Sequence, residues 1–460
     1  MENEELKLPA VNEFIFAPFN TFMYLMDDRL LFGNVAQLKR DLIEYLNKEI
    51  TCCEKNEKFK IHWKSEESLD FKLSKGVFNP PGRESSFVMA ELLNEDDETL
   101  GLQITEEISD QFPANSLQFK DIKFYFYESG VGTCSVKVEL QYPQGLTVVQ
   151  LEEASEEVNG LFKEYFEGIC YELATRYIEA IDHFKIGHLE MEFIPSIEEV
   201  DKATHIIPWT HRIYHVHDHP GLRNLENPGE PFRTLVTPTR QMDIEDFSIY
   251  DNRYIYFGWG HSLIFTEKDE DGYSQTSRPV TDYVRLVEIA QSKWQFLDVL
   301  SDIVDYSLLS FNNLYSKMKI DKIQKSINMI RDFRNAIERI LSDFRGIKIT
   351  FDTEKRMLLN ELHDRWLTQK LVDRLDYEMQ RIEEFLDQLY QRQKEQREES
   401  LNTIALLFTI LGAIEVIDLF MGVFSDNFNI SLPLQLVILS LGTFLVALSI
   451  VIYLRGSTKA

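Results

Sequence analysis

Two apolar runs near the C-terminus, residues 401–424 and 432–454, constrain this chain more than any other feature, and only residues 425–431 separate them. Each run exceeds the roughly 20 apolar residues that cross a hydrocarbon core, so the pair predicts a two-pass helical hairpin in a membrane. Arg392, Lys394 and Arg397 precede the first run, Arg455 and Lys459 follow the second, and the turn carries Asp426 but no Lys or Arg. By the positive-inside rule the expected location is the cell's inner (plasma) membrane, with N-terminus and C-terminus in the cytosol. Residues ahead of the first run show no secretory signal pattern, so they too are expected to be cytosolic.

Residues 353–400 contain neither Pro nor Gly and lead directly into the first apolar run. The pattern predicts one helix from residue 353 through the first span, on the order of 100 Å long at 1.5 Å per residue. Leu371, Leu375, Ile382, Phe385 and Leu389 recur mostly at spacings of three, four and seven, the stripe by which such a helix packs in a bundle. Upstream, helical patterning covers residues 283–317 and 321–345.

The first 280 residues read as α+β. Helical spacing marks residues 35–48, and alternation marks strands over 59–63 and 69–73. Residues 122–127 and 135–142 form a predicted hairpin through Ser129-Gly130-Val131-Gly132. Leu161, Tyr165, Ile169, Leu173 and Tyr177 recur every four residues, which predicts a helix over 151–184 covering a sheet. Residues 195–240 hold six of the chain's fourteen prolines and read mostly as loop, with short extended pieces. Two strands, 253–259 and 262–267, are expected to hinge on Gly258 and Gly260. The expected order is a cytosolic α+β regulatory or sensor domain (1–280), a helical stalk (281–400), a two-helix transmembrane domain (401–454) and a short cytosolic tail (455–460).

The formal net charge of −28 argues against binding nucleic acid directly and fits an assembly that attracts cations or a soluble acidic domain. Cys52, Cys53, Cys134 and Cys170 show no C-x-x-C pair and no zinc spacing. No P-loop, dinucleotide fingerprint or nucleophile elbow occurs, so the chain is not expected to be an enzyme.

Candidate functional residues fall in two groups. Glu415 and Asp418 lie within the first apolar run, where an isolated carboxylate costs roughly 2.5–3.5 kcal/mol at the helix centre and so usually faces a bundle interior or water. Around a symmetry axis they would form stacked acidic rings that favour cations; facing outward, they would sit near the headgroups or pair with a neighbouring helix. Asn402 and Thr409 share a different face of the same helix. The second group is cytosolic. Half of the ten histidines fall between His205 and His219, and an extended segment there would put His215, His217 and His219 on one face. Two imidazoles with a carboxylate could hold a metal, but the spacing matches no fixed metal motif and polar surface or loop residues are the better reading. Gly258-Trp259-Gly260-His261 permits close backbone approach and offers either an aromatic platform for a ring or a tight hairpin with a packed Trp. Arg212 and Arg253 are among several nearby arginines that could neutralise an anion.

The succession of α+β domain, long stalk helix, span, short outer loop, span and basic tail resembles the CorA superfamily of metal-ion transporters, chiefly over residues 282–460. The resemblance implies a homopentameric funnel whose first span lines the pore and whose cytosolic part gates it. Where that family has Gly-Met-Asn, this chain has Phe420-Met421-Gly422, so magnesium selectivity does not carry over. Glu415, Asp418 and Asp426 could supply a different cation site, with Asn402, Thr409, Met421 and Gly422 as further pore positions. CorA-like proteins also serve type III CRISPR antiviral systems as membrane effectors that bind a nucleotide second messenger such as the SAM-AMP conjugate. The resemblance thus implies a ligand-gated ion channel; by their own chemistry Arg212, His215, His217, Arg253, Trp259 and His261 are the candidate ligand-binding residues, with a divalent cation such as Mg²⁺ as a possible cofactor. Two other readings stand beside it: a divalent transporter for Mg, Co or Zn, and a membrane-tethered metal-dependent hydrolase using His205 to His219.

Overall fold

The computed structural model describes residues 6–25, 27, 29–30, 35–49, 52–53, 56–66, 86–94, 117–188, 206–223, 225–237, 244–248, 253–267, 280–317, 323–345, 353–428, 433–434, 436–437, 440–442 and 444. The chain divides into two compact units, one of residues 1–310 with 336–379 and one of residues 311–335 with 380–460.

The first unit is built on a mixed sheet. Its strands are β1 (Leu8–Tyr24), β2 (Cys52–Cys53), β3 (Asn56–Lys64), β4 (Val88–Asn94), β5 (Leu117–Phe126), β6 (Ser129–Leu146), β7 (His211–His217), β8 (Arg253–Phe257) and β9 (His261–Thr266). Among the described residues their order is β2-β3-β4-β5-β6-β1-β7-β9-β8. All neighbours are antiparallel except β7 and β9.

β1 occupies the middle of the sheet. From Phe14 to Phe19 every residue is buried, so the strand shows no in–out alternation in its sequence. It carries Pro18 within the ladder to β6, opposite Thr133, a position from which proline is usually absent. The strand forms because its two faces enter different cores. Val11, Ile15, Ala17 and Phe19 join one cluster, and Phe14 and Phe16 join another.

On the first face lies the helix α2 (Val148–His183), which follows α1 (Val35–Glu49) in chain order. It starts at a capping box in which Gln150 N–H donates to Thr147 Oγ1 at 3.2 Å and Thr147 N–H donates to Gln150 Oε1 at 3.0 Å. Leu151, Val158, Phe162, Phe166, Ile169, Leu173 and Tyr177 are buried against the sheet, as the four-residue spacing predicted. Each such side chain contributes about 1.5–3 kcal/mol by leaving water.

The opposite face is covered by α5 (Val280–Lys317) and α7 (Thr353–Arg365), which come after two one-turn helices, α3 (Pro220–Arg223) and α4 (Arg233–Val236), and around α6 (Ile323–Arg345). Tyr283, Val287 and Ala290 of α5 and Leu358, Leu359 and Leu362 of α7 pack with Ile213, Ile255, Phe257 and Ile264 of the sheet. A buried ion pair reinforces the contact. Arg285 Nε and Nη1 donate to Glu66 Oε1 at 2.8 Å and Glu288 Oε2 at 2.9 Å, and the guanidinium lies 4.0 Å from the centroid of the Tyr125 ring.

One of the short extended pieces expected in the proline-rich stretch, residues 211–217, forms β7, paired with both β1 and β9. Elsewhere the structure departs from the sequence-based expectation: β1 and β4 occupy residues for which no strand was predicted. The stretch predicted as one helix from residue 353 breaks after α7, and α8 runs from Thr368 to Phe428. Leu367 takes φ +52°, outside the helical region, and Lys370 N–H donates to its carbonyl at 2.9 Å to restart the helix. The predicted hairpins are present as β5–β6 and β8–β9. The predicted strand at 69–73 lies outside the described residues.

In the second unit Phe311 packs on Phe333 and Phe385, each with ring centroids 6.0 Å apart, and Arg334 pairs with Glu383. Ile382, Phe385 and Leu389 of the predicted stripe are all buried. Within α8, Thr368–Leu419 is long and apolar enough to cross a membrane, and none of its apolar window is buried. Most of the second apolar run lies outside the described residues.

Candidate functional site

The β8–β9 hairpin turns through Gly258, Trp259 and Gly260, and local geometry requires both glycines. A Cβ on Gly258 would lie 1.9 Å from the carbonyl oxygen of Val236, and Gly260 has φ +79°. Gly258 N–H donates to His261 O at 2.7 Å, closing a turn that pushes Trp259 outward, where it remains 54% exposed.

Trp259 meets other tryptophans there. A cavity of about 300 Å³ is lined by Trp209, Thr210, Trp259, Gly260, Gln291, Trp294 and Trp366. It gathers four of the chain's five tryptophans. Trp294, from α5, is the centre: its ring centroid lies 5.7 Å from that of Trp209 at 88° and 5.5 Å from that of Trp259 at 90°. Trp294 Nε1 donates to the carbonyl of Trp366 at 3.0 Å, Trp366 Nε1 to the carbonyl of Gly258 at 3.1 Å, and Trp209 Nε1 to Gln295 Oε1. Trp366 sits in the break between α7 and α8, and His211 of β7 packs on its ring at 5.4 Å.

A buried polar network adjoins this hairpin. Arg212 N–H donates to the carbonyl of Gly260 at 3.0 Å, and its guanidinium reaches Ser155 Oγ at 3.0 Å, His261 Nε2 at 2.6 Å and the Glu156 carboxylate. Ser155 Oγ also donates to Glu13 Oε1 and lies 2.8 Å from Tyr214 Oη. Glu13 is wholly buried, which pushes its carboxyl up to about 7 against the pull of Ser155 and Arg212. Burial, aided by Arg212, moves His261 down to about 4.

The candidate ligand residues thus separate. Trp259 lines the cavity; Arg212 and His261 form the neighbouring network. His215 and His217 share a face as the alternation predicted, with ring centroids 4.3 Å apart. His215 bonds Thr266 Oγ1 at 2.7 Å and burial lowers it to about 3, whereas His217 reaches Asn12 Nδ2 at 2.9 Å. His219 Nδ1 accepts from Gly221 N–H at 3.2 Å. Among the described residues no three His, Cys, Asp or Glu side chains are grouped to hold a metal ion. Arg253 lies against Tyr283, its guanidinium carbon 4.6 Å from the ring centroid, and Tyr283 Oη donates to Glu354 Oε2 at 3.0 Å.

On α8, Asn402, Thr409, Glu415, Asp418 and Gly422 are exposed, and Thr409 Oγ1 donates to the carbonyl of Ala405 at 2.8 Å. Met421 and Asp426 lie on the same helix, their side chains outside the described set. Sequence reasoning missed Trp209, Gln291, Trp294 and Trp366 as cavity residues. The available signal was compositional: tryptophans are few, and two of them, Trp259 and Trp366, lie in a turn and just past a helix end.

No family model matches the chain, and no curated protein matches it. Among solved structures it is similar to one described as "structure of the full-length CmaX protein", at 12% identity and a TM-score of 0.23 over 50% of this chain and 81% of that one. A likeness of that size assigns neither fold nor function.

Proposed function

We propose that this chain is a CorA-like membrane ion channel gated by a ligand that binds its cytosolic α+β domain. The observation that carries this reading is the position of Trp366. It closes the tryptophan-lined cavity, and two residues later the chain enters the helix that contains the apolar segment. A group entering the cavity acts directly on the residue at the head of that helix. To open a pore it must bind the open and closed states with different affinity, since equal affinity shifts nothing.

The gating ligand on this reading is a nucleotide second messenger, such as the SAM-AMP conjugate, and the biological setting is antiviral CRISPR defence. The cavity's volume, about 300 Å³, is at the bottom of the usual range for drug-sized ligands, so it takes one group of such a molecule rather than the whole. Both apolar runs span the plasma membrane, subunits assemble as a homopentamer, and Glu415 and Asp418 face the axis.

Ion flux through the purified protein in liposomes tests the proposal, with Mg²⁺ varied and nucleotide messengers added at the cytosolic face. Flux that requires a nucleotide supports it. Flux set by divalent metal alone replaces it with a transporter, and absence of flux under both conditions rejects channel activity.

A further inference from the structure

We infer that the tryptophan cavity binds a methylated onium group, a quaternary ammonium or a sulfonium, through the faces of its indole rings. This rests on the cavity being the ligand site, and it adds the chemistry of the group that enters.

Tryptophan faces carry the negative lobe of the ring quadrupole and are the strongest aromatic partners for a cation. Trp209 and Trp259 both stand at right angles to Trp294, so the walls present ring planes in more than one orientation. Such walls suit a compact body that is attractive on every side better than a flat one, which gains most from parallel faces.

The polar groups point the same way. Three of the four indole N–H groups are already donating, to Gln295, Trp366 and Gly258. The Thr210 hydroxyl donates to Asn159 Oδ1 at 2.6 Å, which leaves its lone pairs. Gln291 is 1% exposed, and its Oε1 is buried with no hydrogen-bond partner among the described residues. Among the described residues no Lys, Arg or His lines the cavity. An anion would therefore find neither charge nor a sufficient set of donors. A methylated cation needs neither, since it places positive charge on C–H groups that lie against ring faces and amide oxygens. It also satisfies the Gln291 oxygen, whose unpaired burial is otherwise a cost.

Such a group has two sources, a free methylated amine or the onium end of a larger nucleotide. The experiment separates them on full-length protein in a nonionic detergent, with tryptophan fluorescence and calorimetry as readouts. Choline and its neutral isostere 3,3-dimethylbutan-1-ol form one pair; S-adenosylmethionine and S-adenosylhomocysteine, which lacks the methyl group and the charge, form the other. The expected result is saturable binding of the charged member of at least one pair, tenfold or more tighter than its neutral partner. Trp259→Leu and Gln291→Leu should each weaken that binding several-fold; Trp259 is half exposed, so its variant keeps the fold, and an unchanged melting temperature checks this. Equal binding within both pairs, binding of adenosine monophosphate in place of both cations, no binding of either cation, or binding indifferent to both substitutions in folded protein would overturn the inference. Because binding is read without flux, a cage that fails while a nucleotide still opens liposomes leaves the channel standing, and the converse result rejects the channel alone.

Discussion

The indole N–H of Trp366 donates to the carbonyl of Gly258 at 3.1 Å, fastening the break between two helices to the turn of a β-hairpin 108 residues earlier in the chain. Truncating this ring removes a hydrogen bond, one wall of the cavity and the packing of His211. Trp366→Ala is expected to destabilise the first unit by about 3–5 kcal/mol, the usual cost of deleting a buried large aromatic side chain. Denaturant unfolding followed by circular dichroism measures it, and a loss below about 1 kcal/mol would show that the break is held by other contacts.

Leu367 is half exposed and sits at φ +52°, a conformation that costs a non-glycine residue roughly 1–2 kcal/mol. Leu367→Gly should relieve that cost at the expense of unfolded-state entropy, leaving stability unchanged or higher by up to about 1 kcal/mol. A clear fall in melting temperature would mean that the exposed part of the leucine is covered in the assembled protein.

Glu13 predicts a pH dependence with a definite sign. Its folded pKa is raised by burial from 4.5 to about 7, so the folded chain holds a proton that the unfolded chain releases between those values. The associated stability is fully present below about pH 4.5 and is lost as pH rises through 7, by about 3 kcal/mol at 1.36 kcal/mol per unit. His261 and His363, lowered by burial to about 4, act in the opposite sense: their stability is present above pH 6.5 and lost as pH falls. The Glu13 part is isolated by subtracting the pH profile of Glu13→Gln from that of the wild type between pH 5 and 8. A difference that does not vary with pH would contradict the assignment.

Arg285 is almost wholly buried with Glu66 and Glu288. Arg285→Met leaves two carboxylates without their cation and should cost about 3–5 kcal/mol, with part regained on adding Glu288→Gln. Equal unfolding midpoints for the single and double variants would show that Glu288 does not carry the penalty.

If the first apolar run lines a pore as proposed, Glu415→Gln with Asp418→Asn should reduce the preference for cations over anions several-fold in reversal-potential measurements. Unchanged selectivity would remove both residues from the conduction path.

The parts of this structure legible in the sequence are those where one residue's neighbours in the chain are also its neighbours in space. The β8–β9 hairpin shows as two alternating runs around Gly258 and Gly260, and α2 shows as a stripe from Leu161 to Tyr177. β1 escapes notice because burial on both faces erases alternation and Pro18 argues against a central strand. The helix break at Trp366 and Leu367 carries no proline or glycine; the left-handed residue is imposed by the packing of Trp366, not by local preference. The cavity was hidden for the same reason, since its tryptophans come from a segment before β7, a hairpin, α5 and that break.

The place of β1 in the sheet order also governs how the chain is made. Among the described residues β1 is made before both of its sheet partners, β6, which ends at Leu146, and β7, which ends at His217. At about 5–20 residues per second, translation needs roughly 10–40 s to supply both. Until β6 emerges this long apolar strand has neither of its native edges to join, which favours early engagement by a chaperone.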